Sequence, residues 1–301
     1  MVILNPILCP VDFSEHSRHA LRWAGALARR HESRVIVVSA VDPLLADAAR
    51  TRLGLDLATT ETAPALRTFI AETWPDETSR PAHTTRTHVG DPPDVILQTA
   101  ASERAGLIVM GTQGLGGVRK WLLGSTTERV LRRSQTPVLA VPGPEQEVPE
   151  VSAAALASGP ILVATDFSGT AEHAVTWAAD LARRVGTPLL IAHVVEPISV
   201  PPQWHAYVHD TDEARVAAAR AKLEQVAAPM SGAQACEIIA TLGRPADSIA
   251  ALAAQRQVSV IVMGLASDEG PFAPRPGSIA YRVLALARTP VLVVPPEDTR
   301  K

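Results

Sequence analysis

The chain has 301 residues, of which 47% are hydrophobic and 20% charged, with a formal net charge of −3. That length accommodates two domains, each with its own core, and the composition excludes a disordered chain and any global pull toward nucleic acid or an anionic membrane. No apolar run approaches the roughly 18 residues that span a bilayer, and Met1 to Pro6 lack the basic start and cleavage site of a signal peptide. Cys9 and Cys236 are too few for a disulfide framework. Both lie in apolar strand-like runs and read as inert core thiols, so a reducing, cytoplasmic setting is expected.

Ile7 to Val11 reads as a buried strand ending at Asp12, with Ser14 placed to cap the following helix. On that helix Ala20, Trp23, Ala24, Leu27 and Ala28 recur at helical spacing, which makes Trp23 a core residue. Arg34 to Val41 is a second buried strand. Residues 44 to 75 give conflicting signals, because alanine and leucine favour helix while Gly54 and Pro64 interrupt it. His83 to Val89 is a third strand, Gly90-Asp91-Pro92-Pro93 opens a helix running to about Arg104, and Leu107 to Met110 is a fourth strand. A glycine-rich loop, a helix from Ser125 and a fifth strand, Pro137 to Val141, complete the unit. Strands alternating with helices imply an α/β fold with a mainly parallel sheet.

Residues 143 to 159 carry no apolar period and read as a linker between a first domain, 1–142, and a second, 160–301. Beyond it the pattern returns. Ile161 to Ser168 repeats Ile7 to Ser14, Trp177 repeats Trp23, Met263-Gly264 repeats Met110-Gly111, Gly277-Ser278 repeats Gly124-Ser125, and Thr289-Pro290 repeats Thr136-Pro137. The offset changes by a single residue between the two ends, 154 at Asp12 and Asp166 against 153 at Gly111 and Gly264. The chain is therefore two copies of one five-strand unit.

Gly111-Thr112-Gln113-Gly114, followed by Gly124-Ser125-Thr126, leads from the fourth strand to a helix start. Glycine permits positive φ and close approach to a ligand, and a helix N-terminus offers N–H groups and a positive dipole end, so phosphate fits. Arg119 and Lys120 are nearby cations that either neutralise polyphosphate or form solvated surface. Asp12 alone could be a helix cap and the loop alone an ordinary turn; their joint occurrence with the tandem register favours nucleotide binding in the first half. The nine histidines show no metal-ligand spacing.

Together these residues resemble the universal stress protein family in its tandem form, over nearly the whole chain. Gly111, Gly114, Gly124 and Ser125 match the pattern of its ATP-binding branch: glycine, two residues, glycine, nine residues, glycine, then serine or threonine. The resemblance implies two tandem Rossmann-like domains, each with five parallel strands in the order 3-2-1-4-5, and a ligand at the switch point between the first and fourth strands. It implies that Pro10 and Val11 belong to the nucleotide site, that Asp12 reaches the ribose or base, and that the Ala40 backbone contacts the base. Met110, Gly111, Thr112, Gly114, Gly124, Ser125 and Thr126 would cradle the phosphates of ATP, with Mg2+ or Mn2+ on those phosphates. It further implies pairing of domains through the fifth strands and a homodimer.

The second copy retains Asp166, Gly264, Gly277 and Ser278, but Ser267 replaces the middle glycine and the intervening loop contains Asp268, Glu269 and three prolines. That loop is expected to hold ATP weakly, not at all, or to take another ligand. Two other functions compete with nucleotide-dependent signalling. A slow ATP hydrolase is one, although the chain has neither a Gly-x-x-x-x-Gly-Lys-Ser/Thr loop nor a Gly-x-Ser-x-Gly elbow. A ligand-free interaction scaffold is the other.

Overall fold

The computed structural model describes residues 4–78, 80–114, 123–143, 158–198, 201, 205–230, 235–265 and 278–297. The chain divides into two compact units, Met1–Ala154 and Ala155–Lys301. Most of the expected linker, and with it the greater part of both expected interdomain boundaries, lies outside the described residues.

Unit 1 runs β1 (Ile7–Pro10), α1 (Glu15–Arg30), β2 (Val35–Val41), α2 (Pro43–Leu53), a π turn (Ala58–Thr62), α3 (Ala63–Thr73), β3 (His83–Val89), α4 (Pro92–Ser102), β4 (Leu107–Gly111), α5 (Ser125–Arg133) and β5 (Val138–Val141). Its strands are parallel in the order β3-β2-β1-β4-β5. Buried on both faces, β1, β4 and β5 read as unbroken apolar runs, as central strands of a doubly covered sheet do. The order in which strands are added reverses between β1 and β4, and the C-terminal ends of those strands flank the switch-point crevice.

Unit 2 repeats the plan: β6 (Ile161–Ala164), α6 (Gly169–Val185), β7 (Leu189–Val195), α7 (His205–Ala227), β8 (Cys236–Leu242), α8 (Pro245–Gln255), β9 (Val260–Gly264), α9 (Ser278–Leu286) and β10 (Val291–Val294). Its order, β8-β7-β6-β9-β10, is that of unit 1. The ambiguous stretch after β2 resolves into local signals. Asp42 Oδ1 accepts from the N–H groups of Leu44 and Leu45 at 2.8 and 3.2 Å, Pro43 starts α2, and Gly54 ends it in the left-handed region at φ 66°. Unit 2 has one long helix, α7, between its second and third strands where unit 1 has two helices and a π turn.

Two sequence expectations need correction. Cys9 is fully buried, but Cys236 is half-buried at the start of the edge strand β8, so it is not a core thiol. Burial raises both thiols above their ordinary range. The second correction concerns the loop glycines and is given with the site.

Trp23 and Trp177 are buried as their helical stripes require. Gly25 of α1 has a different cause. A Cβ there would lie 2.6 Å from Trp74 Nε1, because the indole at the end of α3 packs onto the helix backbone. Position 179 of α6 aligns with Gly25 and carries alanine, so the helix itself does not demand glycine. Gly25→Ala should therefore destabilise unit 1 by up to about 2 kcal/mol, since overpacking costs about 1–3 kcal/mol against a helix-propensity gain of about 1 kcal/mol. Urea unfolding followed by Trp fluorescence checks this; stabilisation would mean that Trp74 moves aside freely.

Candidate functional site

The site begins with a strained turn. Phe13, directly after Asp12, has φ 66°, and Phe167, after Asp166, has φ 64°. A bulky residue in this region costs on the order of 1–3 kcal/mol and persists only where its surroundings enforce it. Here the enforcement is an Asx turn. Asp12 Oδ1 accepts from the Ser14 N–H at 3.1 Å and the Ser14 hydroxyl at 2.5 Å, while Ser14 Oγ accepts from the Ser17 N–H at 3.1 Å and caps α1. Asp12 is thus the anchor of the cap, and Ser14 is the cap itself. The Phe13 ring meets Phe69 edge-on at 5.7 Å, and the Arg18 guanidinium lies 4.1 Å from the Phe69 centroid.

The glycine loop reaches this turn from β4. Gly111 pairs with Val141 of β5, the Thr112 N–H donates to Val141 O at 2.9 Å, and the Gly124 N–H donates to Thr112 O at 2.7 Å. Thr127 Oγ1, fully inside, donates to Gly111 O at 2.8 Å. These bonds draw the first turn of α5 to the end of β4. Gly124 is the N-cap of α5 and brings no side chain to its first-turn N–H groups, which lack intrahelical partners by construction.

Positive φ is not what Gly111, Gly114 and Gly124 supply. Left-handed glycines among the described residues are the helix C-caps Gly54 and Gly186, whereas Gly111 and Gly114 are set by close packing. A Cβ on Gly111 would lie 3.1 Å from the backbone carbon and from Cβ of His16, in the first turn of α1. A Cβ on Gly114 would come inside 3.0 Å of Asp12 Oδ2. A Cβ on Gly124 would make ordinary contact at 3.4 Å. The requirement at Gly111 recurs in unit 2, where a Cβ on Gly264 would sit 2.6 Å from Thr170 O. The first glycine of each loop is therefore a packing requirement between strand and helix. Gly114 is the one that meets the aspartate.

The remaining expected residues fall at the same strand ends. Pro10 closes β1 and Val11 is buried beyond it, its N–H bonded to Val38 O at 2.8 Å. Ala40 is half-buried in β2. Met110 and Thr112 are both buried, so the Met110 side chain belongs to the core. Ser125 and Thr126 open α5. Arg119 and Lys120 lie outside the described residues, as do Gly277, Ser267 and the acidic, proline-rich segment around them. In unit 2, Asp166 Oδ1 accepts from the Ser168 N–H and hydroxyl at 3.0 and 2.5 Å, and Ser278 starts α9.

Sequence reading missed three contributors. Thr127 follows two hydroxyl residues in the first turn, and its spacing could have marked it. Phe13 gives no sequence signal of its φ. Neither does His16, whose ring packs where a side chain on Gly143 would stand.

One turn further along α1, His19 is buried, and no partner bonds its Nδ1. Burial first, then the charges of Arg22 and His16, lower its pKa from 6.5 to about 4. The unfolded chain takes up this proton first as pH falls, so stability is complete above pH 6.5 and declines toward pH 4. An NMR titration should find His19 neutral at pH 5, and His19→Leu should flatten the acid limb of the stability curve. Thr127→Val, which leaves Gly111 O without its buried donor, should cost about 1–3 kcal/mol in chemical denaturation.

Known proteins converge on the same architecture. The model of the universal stress protein family matches residues 4–142 and 158–295. A universal stress protein of Mycolicibacterium smegmatis is 27% identical over 96% of this chain and 97% of its own length. One from Thermus aquaticus is 34% identical over 46% of this chain and 99% of its own. The crystal structure of a universal stress protein from Archaeoglobus fulgidus covers 97% of this chain and 98% of that one, with a TM-score of 0.70 at 24% identity, a likeness of fold. Two tandem copies of that domain account for the described chain, which belongs to the universal stress protein family.

Proposed function

We propose that unit 1 binds ATP at the ends of β1, β2 and β4, and that occupancy of this site is the signal the protein carries. The observation that supports this best is the approach of Gly114 to the Asp12 carboxylate. Oδ1 of that carboxylate is held by Ser14, so it could not retreat from a side chain at position 114 without losing its bonds to the cap. A cradle that a single Cβ would fill, lined by a carboxylate and the cap of α5, suits a ribose on one side and phosphates on the other. Asp12 would face the ribose or base, the Ala40 backbone the base, and the first turn at Ser125 and Thr126 the phosphates.

A magnesium or manganese ion would travel with those phosphates. Among the described residues no three acidic, histidine or cysteine side chains converge on a metal position. Bound ligand would act by population shift, favouring the arrangement in which the loop meets the phosphates. A hundredfold excess over Kd adds about 2.7 kcal/mol to the stability of the folded state. The altered loop chemistry of unit 2, read from Ser267, Asp268 and Glu269, leaves its site weaker or different in ligand. Among the described residues no helix is long and apolar enough to cross a membrane.

Calorimetry on two variants tests the proposal. Gly114→Glu, which places a second carboxylate against Asp12, should lower ATP affinity at least tenfold, about 1.4 kcal/mol. Gly124→Ala, with room for its methyl group, should change it much less. Equal affinity in wild type and Gly114→Glu would contradict the site assignment.

A further inference from the structure

The two sheets end in equivalent edge strands, β3 and β8, which differ in how they are protected. Among the described residues β8 is paired on one side only, to β7. The Leu189 N–H donates to Ala235 O at 2.9 Å and the Gly243 N–H to Val195 O at 3.0 Å, at the two ends of the ladder. Parallel contacts recur every second residue. Glu237, Ile239 and Thr241 therefore turn their backbone groups toward β7, while Cys236, Ile238, Ala240 and Leu242 turn theirs to the open edge.

An unpaired edge is normally guarded by charge, proline or a bulge. β3 is guarded. Its ladder to β2 has the same phase, with Val35 N–H to Ala82 O at 2.8 Å and Gly90 N–H to Val41 O at 3.0 Å. Folding β3 antiparallel onto a second copy of itself about its midpoint would set Arg86, with the Glu103 carboxylate it holds at 2.7 and 3.0 Å, opposite a second such charged pair. The same operation on β8 sets Ile239 opposite Ile239, Ile238 opposite Ala240, Glu237 opposite Thr241 and Cys236 opposite Leu242. No like charges meet. The strand's single charge, Glu237, is already paired with Arg256 at 2.5 and 3.0 Å. Leu242, 44% exposed, would gain an apolar neighbour.

We infer that β8 is a self-association edge, joining two copies of this chain through an antiparallel β8–β8 ladder centred on Ile239. In this register the outward groups of Cys236 and Leu242, and of Ile238 and Ala240, meet as hydrogen-bonded pairs, giving about eight backbone bonds around the two-fold axis. The inference does not depend on nucleotide binding.

Register makes it testable with the native thiol. Residues in a hydrogen-bonded antiparallel pair have Cα atoms about 5.5 Å apart, within the span of a disulfide. In Leu242→Cys, mild oxidation should yield covalent dimers in which peptide mapping finds Cys236 joined to position 242 of the second copy. Ala240→Pro removes an outward N–H that β7 does not use, and should halve the sedimenting mass relative to wild type while leaving the circular dichroism spectrum unchanged. A wild-type chain that sediments as a monomer overturns the inference. So does a wild-type assembly unaffected by Ala240→Pro, or a crosslink joining positions 242 to each other. If Ala240→Pro fails to fold, the crosslink map decides alone.

Discussion

Everything at the site follows from how closely the end of a central strand approaches the first turn of a helix. At Gly111 the backbone of β4 lies against His16 of α1, and at Gly264 the backbone of β9 lies against Thr170 of α6. A Cβ would clash outright at Gly264 and press on its neighbours at Gly111. This approach sets the Asp-Phe-Ser turn beside the loop that leaves β4, so that Gly114 meets the Asp12 carboxylate. It also explains why the turn tolerates a phenylalanine at positive φ in both units. The Asx bonds from Asp12 and Asp166 to the capping serine hold the chain there against the local cost.

The fold was legible because its signals are redundant. Each central strand is an unbroken apolar run, each first helix has its serine cap, and the near-constant offset between halves lets one copy check the other. The stretch after β2 was not legible as a whole, because two helices and a π turn leave mixed propensities. Its boundaries were nonetheless written in Asp42, Pro43 and Gly54. Cys236 misled because an edge strand and a central strand share composition, and exposure depends on what lies alongside. Of the two glycine properties expected of the loop, positive φ is absent at Gly111, Gly114 and Gly124, and close approach is what the structure shows at Gly111 and Gly114. Space decides Gly111 and Gly114, and space is a matter of tertiary contact that no local pattern contains.

That distinction changes which part of the motif carries function. Since Gly264 meets the same steric demand as Gly111, the first glycine marks the architecture shared by both units. Gly114 is the glycine of the pattern that unit 2 lacks, since Gly277 stands where Gly124 does. Unit 2 keeps the strained turn and the packing glycine, whereas position 267 carries serine. Duplication thus preserved the frame in both halves, and divergence acted on the loop and on the outer strand. The contrast between β3, with Arg86 at its centre, and β8, with Ile239 there, is the same kind of change at a different surface.

The account's central claim is a single nucleotide site per chain, in unit 1. Equilibrium dialysis against saturating ATP with Mg2+, using protein first freed of bound small molecules, measures it directly. The account predicts one equivalent bound per chain, whose affinity Gly114→Glu lowers at least tenfold when the dialysis is repeated over a range of ATP concentrations. Two equivalents of equal affinity, or one equivalent whose affinity that substitution leaves unchanged, would contradict it.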